Sequence, residues 1–155
     1  MWEDVDFEND VIHIRHTVAR VKSTNKFSKT KLIIDSPKTI SSKRDIPISS
    51  VLKPILFSAS KHKKSNYVVP SNNSFMGTRT FDYRYRQLLK SNNISIFNFH
   101  TIRHMFATRC IDVGVDVKTL SEILGHSNVS TTLNTYVHPS MEIKKSQIEK
   151  LYTSA

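Results

Sequence analysis

The hydrophobic pattern changes period near Ile48. Ahead of that point, apolar and polar residues alternate in short runs. Val11–Arg15 (VIHIR) alternates cleanly and Thr17–Lys22 less so, which predicts two exposed-edge strands. Lys31–Asp35 (KLIID) is a short apolar run, and Arg44–Ile48 (RDIPI) alternates again. Between them lies SPKTISSK, rich in turn formers. The pattern predicts one small antiparallel sheet over about 11–48, with Lys38 near the turn of its last hairpin. Pro47 cannot donate to a ladder, so its strand belongs at an edge or bulge.

Beyond Ile48 the period is helical to about residue 152. Ser50–Ser60 can put Val51, Leu52, Ile55 and Leu56 on one face. Thr78–Lys90 does the same with Phe81, Tyr85, Leu88 and Leu89. A helix over Thr101–Val113 would turn Ile102, Met105, Phe106, Cys110 and Val113 inward and stop at Gly114. Asp116 can cap Val117–Leu124, which Gly125 ends, and Ser127 or Asn128 can cap a third helix reaching Tyr136. Met141–Tyr152 is a weaker amphipathic stretch. The expected class is α+β, mainly helical, with one small antiparallel sheet.

Composition narrows the partner. The chain of 155 residues suits one domain. Its 23 Lys+Arg against 13 Asp+Glu leave a net charge of +10, which fits a polyanion, nucleic acid before membrane. No apolar run approaches the ~20 residues that span a bilayer. A single cysteine, Cys110, excludes an internal disulfide and agrees with a reducing cytosol. Arg79 and Arg86, on the polar faces of their helix, are candidate phosphate contacts; a charged face can equally be a solvated one.

Certain residues could carry chemistry. His100 and Arg103, three apart on a helix, lie on one face, where two donor groups pair poorly unless an anion sits between them. A guanidinium suits phosphate because its planar fork binds two oxygens. Taken alone, such a pair is also what any charged helix surface offers. His126 follows Gly125 at a helix end, where it either faces a cleft or favours the helix dipole. Tyr136 falls at i+7 from Val129 with Leu133 between, the spacing of a core aromatic. His104 and Cys110 do not have the spacing of a zinc array; Cys110 reads as core, and His104 as packed locally or on backbone.

Jointly these residues spell H-x-x-R-H, then L-G-H, then a tyrosine ten residues after that histidine. The block FHTIRHMFATRCIDVGVDVKTLSEILGHSNVSTTLNTYVH resembles the signature of the tyrosine recombinases, the phage-type and transposon integrases. SPKTISSKRDIPIS resembles the family's β-hairpin, and WEDVDFENDVIHI resembles the stretch after its first arginine motif. The resemblance covers essentially the whole chain.

What it implies is site-specific DNA cleavage and rejoining through a 3′-phosphotyrosyl link, with neither metal nor small-molecule cofactor. Tyr136 would be the nucleophile, and Arg103 and His126 would hold the nonbridging oxygens. His100 would accept the tyrosine proton or add a donor, and Lys38 would protonate the leaving 5′ oxygen. The partners implied are double-stranded DNA and further protomers, four in the full-length complex, with Met141–Tyr152 as the tail that packs on a neighbour. The location implied is the bacterial cytoplasm, on the nucleoid when bound to DNA. The family's first arginine, in an R-x-G-E-like motif ahead of the sheet, has no match. The expectation is therefore a carboxy-terminal catalytic domain without arm-binding and core-binding domains, inactive or very slow alone. The competing reading is a DNA-binding module without chemistry.

Overall fold

Three helices begin on side chains that cap them. Asn98 accepts from the Thr101 N–H, Asp116 from the Thr119 N–H and Asn128 from the Ser130 N–H, each satisfying a donor that a first turn leaves unpaired. Gly114 and Gly125, at φ +83° and +73°, supply the left-handed residues that end two of them. The computed structural model describes residues 1–24, 29–37, 39, 42–71 and 74–153.

A single-turn 3-10 helix, Trp2–Asp4, leads into β1 (Val5–Asp6), β2 (Val11–Ile14), β3 (Thr17–Lys22), β4 (Thr30–Asp35) and β5 (Arg44–Pro47). Helix α1 (Leu52–Lys61) and a two-stranded ribbon, β6 (Pro70–Ser71) and β7 (Ser74–Phe75), follow. The remainder is helical: α2 (Thr78–Ser91), α3 (Phe99–Asp112), α4 (Val117–Leu124), α5 (Val129–Tyr136) and α6 (Met141–Thr153). The α+β class, with more helix than strand, is as the sequence predicts.

The strands differ from the prediction in how they pair. They form an antiparallel sheet in the order β1-β2-β5 and a separate β3-β4 ribbon, not one sheet. Alternation reveals a strand but not its partner. β2 is therefore central, paired with β1 and β5, where its pattern suggested an edge. β5 is an edge strand and carries Pro47 opposite Val11, as a missing N–H requires. The segment from β4 to β5 joins two sheets and is not the turn of a hairpin. Lys38 lies in it, outside the described residues.

The buried core is small. Ala107, Leu120 and Leu124 form it, with Cys110, Ile111, Val115 and Tyr136 packed around them. Ala107 is fully buried, so α3 meets α4 and α5 across a side chain of one carbon. Most of the expected apolar side of α3 faces outward: Ile102, Met105, Phe106 and Val113 are exposed, and Cys110 alone of that set packs on the core. Apolar residues occur on several sides of this helix, and close approach selects the small one. On α2, Leu89 is buried, and Phe81 and Tyr85 stack edge-on against Phe99 at 5.0 and 5.5 Å, while Leu88 stays exposed. On α1, Val51, Leu52 and Ile55 are exposed and Leu56 is half-buried, so most of that predicted face is open.

Candidate active site

The site is assembled where α3, the α4–α5 turn and β5 meet. Arg103, half-buried on α3, donates from Nη2 to the Leu124 carbonyl at 2.7 Å and bonds His126 Nε2 at 3.0 Å. Arginine cannot accept, so that imidazole nitrogen carries a lone pair. The ring proton then sits on Nδ1, which donates to Thr132 Oγ1 at 2.8 Å. Thr132 is fully buried and fixes the ring from α5. Burial, then the charges of Arg103 and Arg44, hold the His126 pKa below its usual value, which agrees with a neutral ring.

Arg44 is a residue that sequence reading missed. Its Nε donates to the Ile123 carbonyl at 2.7 Å and its Nη1 to the Ser42 carbonyl at 3.1 Å, tying β5 to the end of α4. The side chain passes so close to Gly125 that a Cβ there would stand 2.9 Å from Nη1. Burial and the neighbouring Arg103 both depress the Arg44 pKa. Arg44, Arg103 and His126 thus gather in one place, and none pairs with a carboxylate among the described residues. Two mutually repelling guanidiniums without a counter-ion, beside a neutral imidazole, make a site for an anion. The alternating pattern RDIPI marked Arg44 only as an outward position on a strand.

Tyr136, half-buried at the end of α5, directs its hydroxyl to α3, where it bonds His104 Nδ1 at 3.0 Å. The two rings are tilted, with centroids 5.6 Å apart. His104, expected to pack locally or on backbone, instead holds the phenol across 32 residues of sequence. His100 is exposed one helical turn earlier, its ring 6.3 Å from that of His104. Arg103, expected beside His100, turns its Nη2 to Leu124 and His126. Arg79 and Arg86 lie on exposed faces of α2, and Arg86 is bonded to Asp82 at 2.8 Å.

Residues 1–142 match the model of the phage integrase family. The chain belongs to that family. Its relatives include a tyrosine recombinase XerC-like protein of Caldanaerobacter subterraneus subsp. tengcongensis, 32% identical over 97% of this chain and 43% of that protein. The transposase of transposon Tn916 from Enterococcus faecalis is 26% identical over 96% of this chain and 39% of its own length. This phage integrase family chain therefore spans less than half the length of these relatives. Among solved structures, the Tn1549 transposon integrase in complex with transposon right end DNA superposes with a TM-score of 0.80 at 28% identity, covering 97% of this chain and 52% of the other.

Proposed function

We propose that residues 1–155 are the catalytic domain of a site-specific recombinase that cuts and rejoins double-stranded DNA of a mobile element. The observation that carries this reading is the pair of guanidiniums, Arg44 and Arg103, without a carboxylate partner among the described residues and beside the neutral imidazole of His126, with a phenol anchored on the helix that carries Arg103. In the proposed reaction a phosphate enters the cluster, and Tyr136 Oη attacks the phosphorus. A 3′-phosphotyrosyl ester forms and the 5′ oxygen leaves as a hydroxyl, with Lys38 as its proton donor. The ester keeps the bond energy, so a second 5′ hydroxyl reverses the step without an external energy source. Arg103 presents Nε and Nη1 to the nonbridging oxygens, the donors its contacts among the described residues leave free. His126 joins as a donor once Nε2 takes up a proton. His100 adds a donor at the rim, and Arg79 and Arg86 contact phosphates further along the duplex.

The family membership supports this reading, as do transposon-associated relatives and a neighbour solved on DNA. Protomers would assemble on DNA, four in the complete complex, through the exposed apolar residues of α6. The bacterial cytoplasm is the proposed location; among the described residues no helix is long and apolar enough to cross a membrane. The test uses duplexes the protein selects from a random pool, nicked beside the cut so that the cleaved strand diffuses away. A covalent protein–DNA adduct is expected, and Tyr136→Phe should abolish it while duplex binding persists. An equal adduct in the variant removes Tyr136 from its role, and a bound duplex never cleaved favours a binding module.

A further inference from the structure

The phenol of a tyrosine has a reference pKa near 10, so at neutral pH its proton must go to some acceptor as the oxygen attacks. The candidates within the site are three imidazoles. His126 has both ring nitrogens engaged, one by Arg103 and the other by Thr132. His100 stands a helical turn away from His104. His104 Nδ1 is already 3.0 Å from the hydroxyl, within the range a general base needs.

We infer that His104 is the general base for Tyr136, a catalytic residue that touches the attacking atom, with His100 in a supporting place. This rests on the strand-cleavage reading above and refines it. A neutral imidazole with its proton on Nε2 accepts the phenol hydrogen at Nδ1. As the Oη–P bond forms, that proton moves to Nδ1 and the P–O5′ bond breaks, its electron pair leaving with the 5′ oxygen. The resulting imidazolium returns its proton when the ester is resealed and Oη becomes the leaving group. His104 is exposed and lines an open groove with Met105, Thr108, Arg109 and Asp112, so Nε2 reaches water. Among the described residues, the titratable and charged groups that face it are His100, Arg109 and Asp112 on α3 and Tyr136 from α5. Arg103, adjacent in sequence, is turned toward Leu124 and His126. The placement follows from periodicity. His104 lies one turn beyond His100 on the same stripe, and α5 delivers its last residue to that level of α3.

Two measurements test the assignment. Nitrogen-15 NMR of the DNA-free protein should find the neutral His104 ring protonated on Nε2, with its Nδ1 resonance moved by Tyr136→Phe. A neutral ring protonated on Nδ1, or a resonance indifferent to that substitution, overturns the assignment whatever the protein does to DNA. The second is the pH profile of adduct formation on the nicked duplex. His104→Ala should slow the step by about a hundredfold or more and remove the acidic limb, within the range of a positioned base. Added imidazole should restore much of the rate. His104→Asn keeps a hydrogen-bonding group near Nδ1 and should still lack the limb. Unchanged or faster cleavage by both variants would mean the contact only restrains Tyr136, and overturns the base. If bound DNA is never cleaved although the NMR contact is present, the strand-cleavage reading fails, and the base with it.

Discussion

Arg103 can only donate, and that fact sets the protonation of His126. The imidazole accepts at Nε2, keeps its proton on Nδ1 and is neutral, with burial as the main cause of its lowered pKa. The sign of the resulting pH dependence follows. Below about pH 6.5, the reference value for an unfolded chain, the unfolded state binds a proton that folded His126 still refuses. Its stabilising contribution is full above that pH and is lost as pH falls through the lower folded value. Urea denaturation between pH 5 and 8 should show stability falling on the acid side, and His126→Asn should flatten that fall. An identical slope in the variant would assign the acid sensitivity to other histidines. On the proposed reading, Nε2 takes up a proton from solvent before His126 donates to a phosphate, whose negative charge favours that protonation. A residue that is an acceptor in the resting site would then be a donor on phosphate.

At the level of elements, the α4–α5 turn decides whether the cations converge. Gly125 is needed there twice: φ is +73°, and the Arg44 guanidinium fills the space where a Cβ would be. Gly114 separates the two demands, because its φ is +83° but nothing lies within 4 Å of its missing Cβ. Gly114→Ala should cost about 1–2 kcal/mol from the left-handed backbone alone and leave adduct formation unchanged. Gly125→Ala should match that loss in denaturant midpoint or exceed it, and slow cleavage as well. Arg44 is held by two carbonyls and cannot move aside without releasing β5 from α4. Equal cleavage by both variants would show that Arg44 does not order the site.

These helix ends were legible in the sequence, since Gly114, Asp116, Gly125 and Asn128 act through local backbone geometry. Joint spacing pointed to Arg103, His126 and Tyr136 together; the structure bonds the first two to each other and Tyr136 to His104. Arg44 and His104 were not legible. The first needs the pairing of β5 with β2, and the second needs the level at which α5 crosses α3. Pairing and crossing are tertiary choices, and alternation or helical period cannot express them. The same limit misassigned α3, where the period favoured Met105 and Phe106 but close packing buried Ala107.

For the whole molecule the dominant quantity is charge. A net +10 is an excess of cations over carboxylates, and DNA binding should release counterions in proportion to the phosphates it neutralises. The logarithm of affinity should fall linearly with the logarithm of salt concentration, by about 0.9 per phosphate. Two residues on α2 resolve which charges take part. Arg79 is exposed and has no ion pair among the described residues, whereas Arg86 is held by Asp82 with both side chains about half exposed. An exposed pair of this kind is worth little, ~0.3–0.5 kcal/mol, but it neutralises much of the field that Arg86 offers a phosphate. Arg79→Ala should therefore make the salt slope shallower by about one unit, Arg86→Ala should change it less, and Asp82→Asn should steepen it by freeing Arg86. Fluorescence anisotropy on a fixed duplex from low to moderate salt measures all three. A wild-type slope near zero would remove DNA as the partner of this surface. Equal effects of Arg79→Ala and Arg86→Ala would show that the Asp82 pair opens when DNA arrives, so that both arginines act as phosphate contacts.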